Sequence, residues 1–437
     1  MTTELASRHA TVARAPTVFV LIALALFLIL SRIVSYDEPI EWDLGMYSTI
    51  ARELLHGERL YADAWDIKPP AIFVTFAAAQ LLAGDGFLAL YLLSVTAAIV
   101  TLLGVFHAAS IAGTAAGLWA AAFWAAICFE PWTGADRPNT EVFINAAVAW
   151  AFALWLRAAP PEGGTPAERS GSLVPPATVD GGAGGGWWRW VVIGLLLALA
   201  SLYKQVVIAP ALCMALAEIA RPSHTEKGRR GAISRVSIIA TMGFWVWFAV
   251  LAYFIATERG WLIWQTLFVA PRAYSGSAVG NLLGFPTAFW AAAGNMAFAV
   301  PALALTGIGA LLGARAAPGR AWMLLGALFI GMYFAIALPG AFHAHYQQLW
   351  FVPLAIGAGW GAAALPSIRG LHIPRLANAA TALAVLTVAW SQISWWPLTA
   401  RERAQRKYGD FLLYGHDAGL IGNSDGRRAG EIAGQRR

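Results

Sequence analysis

Apolar runs of bilayer length recur along almost the whole chain, and this one feature removes most folds from consideration. A helix needs about 20 apolar residues to cross a hydrocarbon core of about 30 Å. Such runs fall near residues 17–35, 87–108, 114–130, 141–158, 188–203, 206–220, 236–256, 287–313, 322–339, 349–365 and 377–396. Only 12% of the 437 residues are charged, against about 25% in a soluble domain. Mean hydropathy is +0.60, so the polar surface that water requires is missing. The expected fold is an all-α integral membrane protein, a polytopic bundle of about 11 transmembrane helices with outer-face juxtamembrane helices. A membrane barrel would show short alternating strands instead.

Arg8 and Arg14 precede the first run as in a signal peptide, but residues 31–35 offer no small-x-small cleavage pattern. The segment reads as an uncleaved first helix. Residues 71–82 form an apolar piece that would reach only about 18 Å as a helix. A re-entrant or interfacial placement is expected for it.

That placement has a consequence for sidedness. With the N-terminus cytoplasmic, Arg157, Arg169 and Arg189, then Arg221, Lys227, Arg229, Arg230 and Arg235, then Arg315 and Arg320, then Arg369 and Arg375 all fall inside, as the positive-inside rule requires. A full crossing by residues 71–82 would move the basic 221–235 loop outside. The tail bearing Arg401, Arg403, Arg406 and Lys407 is the exception, because it falls on the outer side. The net charge of +6 therefore speaks of membrane orientation and not of nucleic acid. An inner (plasma) membrane location with the working face extracytoplasmic is expected.

Residues 159–187 are rich in Pro and Gly and read as a flexible cytoplasmic linker. It divides an N-terminal module, 1–158, from a C-terminal module, 188–396, followed by a polar tail, 397–437. Cys128 and Cys213 lie in apolar segments and read as small hydrophobes, with no disulfide or metal spacing.

The first outer loop, 36–70, is the most informative stretch. It holds Asp37, Glu38, Glu41, Asp43, Asp63 and Asp66 together with aromatic residues and Lys68. Within it, residues 46–55 place Tyr47, Ile50 and Leu54 on one face and Ser48, Arg52 and Glu53 elsewhere, the pattern of a helix lying on the membrane surface. For most of these carboxylates a solvated acidic loop is the simpler reading.

Three further polar clusters fall on the same side: residues 136–141 with Asp136, Arg137 and Glu141, residues 201–205 with Lys204 and Gln205, and residues 343–348 with His343, His345 and Tyr346. Lys204 sits between two apolar runs with almost no loop around it. A charge at membrane depth costs about 3 kcal/mol, so Lys204 either faces a cavity or partner, or snorkels from a tight turn. His343-x-His345 lacks identifiable further ligands, so satisfied or phosphate-contacting histidines are expected and no metal site is assigned. Carboxylates, Lys, Arg and His above an apolar bundle suit a substrate with an anionic head and a greasy tail. Cations would bind phosphate, a carboxylate could deprotonate a hydroxyl, and an interhelical groove would hold the lipid chain.

At this point a family resemblance enters. Asp43-Leu44-Gly45-Met46-Tyr47, then Ala51-Arg52-Glu53-Leu54-Leu55-x-Gly57, then Tyr61-x-Asp63-x-Trp65-Asp66-x-Lys68-Pro69-Pro70 resembles the first outer loop of polyprenyl-phosphate-sugar glycosyltransferases of the GT-C fold. That group includes protein O-mannosyltransferase and lipid A aminoarabinose transferase relatives. Arg137-Pro138-Asn139-Thr140-Glu141, Lys204-Gln205 and His345-Tyr346 before a helix containing Pro353 are similar to its later landmarks. The resemblance covers about the first 205 residues well and the rest loosely.

The resemblance implies inverting transfer of a sugar from a polyprenyl-phosphate carrier to a glycan, lipid or protein acceptor outside the membrane. It implies Asp43 as general base or acceptor-positioning group and Lys204 as holder of the lipid phosphate. Arg137 and His345 are further phosphate candidates by charge. Tyr61, Asp66, Lys68, Glu141, Gln205, His343 and Tyr346 complete the expected substrate-binding set. Many relatives carry Asp-Glu where this chain has Asp43-Leu44, so a role for a second carboxylate there is not carried over. No nucleotide-binding Gly-rich loop is evident, which suits a lipid-linked donor, and no cofactor is called for, divalent metal being left open. A transporter or lipid-linked sugar flippase is the competing class, but it would show inverted repeats and broken helices near the midplane.

Overall fold

In the lipid core every backbone N–H and C=O must be satisfied within the chain, so an apolar sequence of this kind resolves into helices. The computed structural model describes residues 2–158, 186–221, 226–368 and 373–408. Most of the expected linker, with Arg169, and also Arg369 and the tail beyond residue 408 lie outside the described residues.

The helices in chain order are α1 (Thr2–Ser31), α2 (Trp42–Leu55), α3 (Ala71–Ala83), α4 (Phe87–Ala109), α5 (Thr114–Ile127), α6 (Thr140–Ala158), α7 (Trp187–Tyr203), α8 (Ile208–Ala220) and α9 (Glu226–Ala256). They continue as α10 (Gly260–Trp264), α11 (Ala270–Ser275), α12 (Ala278–Ala292), α13 (Val300–Leu312), α14 (Gly319–Ala337), α15 (Phe351–Ala364), α16 (Pro374–Ile393) and α17 (Ala400–Tyr408). Among the described residues no β-strand forms, and 7 helical stretches are long and apolar enough to cross a membrane, with shorter apolar helices beside them.

The core sits around α15, which packs between α5 and α13. Close approach there depends on glycine: a Cβ on Gly359 would collide with the Ala116 carbonyl of α5, and one on Gly361 with the Leu305 carbonyl of α13. Small residues at helix contacts are the usual means of packing inside a bilayer, where the lipid is as apolar as the helices. By contrast α9 and α16 expose Phe244, Trp245, Phe248, Leu386 and Trp390, as lipid-facing helices should.

The expected span at 287–313 is broken. Helical structure runs from Ala278 to Arg315, but Pro286 lies inside α12 and a 3-10 stretch, Ala293–Ala299, separates α12 from α13. Helix α1 ends at Ser31, short of the expected residue 35. Arg32 folds back on the helix end there and donates to the carbonyls of Leu28 (3.4 Å) and Cys128 (3.1 Å).

Helix α3 does not leave the end at which it starts. Near its N-terminus Phe73 and Phe76 pack edge-on against Tyr47 of α2. Near its C-terminus Gln80 Nε2 donates to the Ser48 carbonyl of the same helix at 2.9 Å. Tyr36, just beyond α1, meets Phe87 and Tyr91 at the start of α4, so α4 begins at the level where α1 ends. The geometry matches the re-entrant or interfacial expectation. It also explains why Ser48, expected off the apolar face, is buried: α3 lies back over α2 and covers it.

At the opposite end the arginines meet. Glu218 of α8 accepts from Arg235 at 2.9 Å and Arg320 at 2.9 Å. Arg320 reaches the carbonyls of Trp155 and Leu156 at the end of α6, and Arg157 donates to Ser110 Oγ at 2.8 Å. Breaking a buried pair by removing one partner costs about 3–5 kcal/mol. Glu218, 1% exposed in its side chain, is the shared acceptor. Glu218→Gln is therefore expected to lower the melting temperature markedly in a detergent-solubilised thermal ramp. An unchanged midpoint would show that water takes over the two guanidinium groups.

Candidate functional site

Four elements converge at the end that carries the first outer loop. Helix α2 brings Asp43 in its first turn. The start of α6 is set by Asn139, whose side-chain oxygen accepts from the Thr140 N–H at 2.7 Å. That places Glu141 in the first turn, where the helix dipole favours a carboxylate. Between α7 and a 3-10 turn, Lys204 takes an extended backbone conformation, φ −157° and ψ 113°, and directs its side chain out of the helical path. A second 3-10 turn, Ala344–Trp350, supplies His345 and Tyr346.

The ammonium of Lys204 lies 3.1 Å from Glu141 Oε1 and 3.0 Å above the centre of the Tyr346 ring. The second Glu141 oxygen accepts from Thr140 Oγ1 at 2.8 Å. Both charged side chains are nearly sealed from solvent, at 8% and 0% exposure. Of the two readings left open by the sequence, the partnered lysine holds and the snorkelling one does not. Cation–π contact and an ion pair together supply the compensation that a buried ammonium requires.

His345 stands with its ring edge-on to Tyr346 at 4.7 Å and stacked on His343 at 5.4 Å. Its Nε2 is 3.9 Å from Asp43 Oδ2, close but beyond hydrogen-bond length. Asp43, His345, Tyr346, Lys204 and Glu141 thus form one continuous line from a part-exposed carboxylate to a buried pair.

Lys68 and Asp66 lie half-buried beside this line. Burial pushes the Asp66 carboxyl above the ordinary range, against the pull of Lys68. The Tyr61 hydroxyl donates to the Lys68 carbonyl at 2.8 Å, and Tyr61 is itself at φ 69°, a left-handed conformation that costs a bulky residue. Its N–H closes on the Ala64 carbonyl at 2.7 Å. Tyr61 is buried and supports the Lys68 backbone; its hydroxyl is engaged there.

Two of the expected residues point elsewhere. Gln205 donates to the Leu267 carbonyl at 3.2 Å, within a π-helical turn, Gln265–Val269; Trp65 bonds Thr266 Oγ1 in the same turn at 2.8 Å. Arg137 donates to the carbonyls of Glu38 (2.8 Å) and Pro39 (3.0 Å) and is not in the Lys204 line. A small open cleft lies beside it, lined by residues that include Arg32, Tyr36, Tyr91 and Asp136 and none of the Lys204 line.

Tyr47 was legible only as part of an apolar face. It is fully buried with no hydrogen-bond partner on its hydroxyl, and its nearest charges include Asp43, Asp66 and Glu141. The signal was its spacing of one helical turn from Asp43. Among the described residues no group of three or more His, Cys, Asp or Glu is arranged to hold a metal ion.

Burial lowers the His343 imidazole below its ordinary value, with Asp43 opposing and Lys204 reinforcing. Between the lowered folded value and the unfolded value of 6.5 the unfolded chain binds more protons. Stability contributed above that window is therefore lost as pH falls through it. Melting temperature is expected to drop as pH falls below about 6.5, and His343→Gln is expected to flatten that slope. Identical slopes for the two proteins would place the titration elsewhere.

No protein-family model and no curated protein sequence matches the chain. Solved structures do. Archaeal oligosaccharyltransferase AglB from Archaeoglobus fulgidus, in complex with an inhibitory peptide and a dolichol-phosphate, is similar over 96% of this chain and 59% of its own, at 13% identity and TM-score 0.55. Its apo form gives TM-score 0.54 at 13% identity over 95% of this chain and 59% of its own. ArnT from Cupriavidus metallidurans, bound to undecaprenyl phosphate, is similar over 93% of this chain and 76% of its own, at 18% identity and TM-score 0.53. The chain spans a little over half the length of the oligosaccharyltransferase chains it matches. At TM-scores of 0.53–0.55 the chain has the helical-bundle fold of these membrane glycosyltransferases, the GT-C fold.

Proposed function

We propose that the chain transfers a sugar from a polyprenyl-phosphate carrier to an acceptor hydroxyl by inverting displacement at the outer face of a plasma (inner) membrane. The observation that carries this reading is the convergence of Asp43, Lys68, His345 and the Lys204–Glu141 pair at one end of an apolar bundle of GT-C fold. In the two neighbours the bound groups are dolichol-phosphate and undecaprenyl phosphate, both lipid phosphates. The arginine-rich end opposite the site supports an extracytoplasmic orientation of the site.

In this mechanism Asp43 takes the proton of the acceptor hydroxyl as its oxygen attacks the anomeric carbon. The bond from that carbon to the carrier phosphate breaks on the opposite face, through an oxocarbenium-like state. Negative charge gathers on the departing phosphate, where N–H groups of Lys68, of Lys204 and of neutral His343 can receive it. Glu141 does not react: it holds Lys204 in place and neutralises its charge until phosphate arrives. The N-terminal module supplies Asp43, Lys68 and Glu141, and the C-terminal module supplies Lys204, His343 and His345, so the reaction would take place where the two modules meet.

The test is incubation of the purified protein in liposomes with radiolabelled polyprenyl-phosphate sugars and a membrane extract. Label leaving the carrier for a glycan, glycolipid or protein supports the transferase and names the acceptor class. Label that crosses the vesicle membrane on an unaltered carrier would replace it with the flippase reading. Repeating the assay with a chelator reads metal dependence directly.

A further inference from the structure

We propose that α17 is a clamp that positions the outer site, acting on Glu38 and through it on the entry to α2. The consequence for turnover rests on the transferase reading; the clamp itself does not. Glu38 lies in the turn between α1 and α2, shortly before Asp43, and its side chain is wholly buried. Lys407 of α17 lies 3.0 Å from Glu38 Oε1 and 3.2 Å from both oxygens of Asp136. Arg403 of α17 lies 3.2 Å from Asp37 and 3.8 Å from Glu38. From the other side Arg137 grips the main-chain carbonyls of Glu38 and Pro39.

Three cations meet three carboxylates in this cluster. Lys407, Arg403 and Arg137 face Glu38, Asp136 and Asp37. Nearby Arg32 donates to Ser94 and to carbonyls at the ends of α1 and α5, where the helix dipoles are negative. A buried ionic network of this kind adds little net stability over apolar packing of the same volume, but its contacts are directional, so what it defines is geometry.

The geometry in question reaches both halves of the site. Glu38 leads into α2 and Asp43. Asp136 and Arg137 lead into Asn139, which donates to Glu41 at 3.4 Å and starts α6 with Glu141. By holding Glu38 and Asp136 on one ammonium, Lys407 sets the spacing between the segment that presents Asp43 and the one that presents Glu141, the partner of Lys204. Lys407 touches no substrate in this account. It is a positioning residue, brought to the site from the far end of the chain.

The experiment compares the full-length protein with Lys407→Met and Lys407→Arg by hydrogen–deuterium exchange and by turnover. In Lys407→Met, amide exchange is expected to rise across residues 37–55 while α5 and α15 stay protected, and Lys407→Arg is expected to restore protection. With a turning-over wild type, kcat is expected to fall about tenfold to a hundredfold, the scale of a misplacement of about 1 Å, while KM for the carrier sugar changes less than about twofold. Unchanged exchange at residues 37–55 would overturn the clamp. So would exchange that rises throughout the bundle with kcat falling in step with melting temperature, since that describes a structural role alone. A wild type without turnover on any carrier sugar would sink the transferase reading, and the exchange data would then decide the clamp by themselves.

Discussion

Asp43→Asn is expected to abolish sugar transfer while leaving the fold and carrier binding intact. The side chain is 30% exposed and its Oδ2 lies 3.9 Å from the His345 ring, beyond hydrogen-bond length, so its charge is not sealed into a buried ion pair. Asparagine keeps the shape and cannot take a proton. Loss of a positioned base costs roughly a hundred- to ten-thousand-fold in rate. Initial rates with a saturating carrier sugar should fall by that factor, with melting temperature and polyprenyl-phosphate affinity held. Full activity in the variant would remove the base assignment from Asp43. Lost activity accompanied by lost carrier binding would make Asp43 a binding group instead.

Lys204→Ala is expected to fail more broadly. The family resemblance implies that the lysine holds the carrier phosphate, so a loss of donor affinity is expected from that alone. The structure adds a cost in the fold, because Glu141 is left fully buried without its partner. Such a break destabilises by about 3–5 kcal/mol, a large share of the margin of a typical domain. Glu141→Gln should also destabilise, by stranding the ammonium over the Tyr346 ring. The double variant Lys204→Met with Glu141→Gln removes both charges and is expected to recover stability without recovering transfer. A double-mutant cycle on melting temperature and on carrier binding separates the two roles. Recovery of both in the double variant would reduce the pair to packing; no loss of donor binding in Lys204→Ala would sink its phosphate role.

The basic tail shows how a one-dimensional rule meets its limit. Arg403 and Lys407 break the positive-inside pattern if read as loop charges. In the structure they lie against the outer loop with their charges matched by Asp37, Glu38 and Asp136. The rule weighs charge that faces water and lipid headgroups, and Lys407, 1% exposed in its side chain, faces neither. Arg137, a phosphate candidate by its charge, is placed by the carbonyls of a segment 99 residues away, a partnership no local pattern announces.

What the sequence determined by itself are the properties that each residue carries locally. The cost of leaving water or entering lipid accrues residue by residue, so the apolar runs, the amphipathic helix of the first polar loop, the short apolar piece after it and the basic end of the bundle were all legible. So was the end at which the polar clusters gather. What only the tertiary structure decided are the partnerships. Glu141 and Lys204 meet across 63 residues, and Glu38 and Lys407 across 369. Which buried carboxylate answers which cation depends on which helices become neighbours, and that is a property of the packed bundle, not of any one segment.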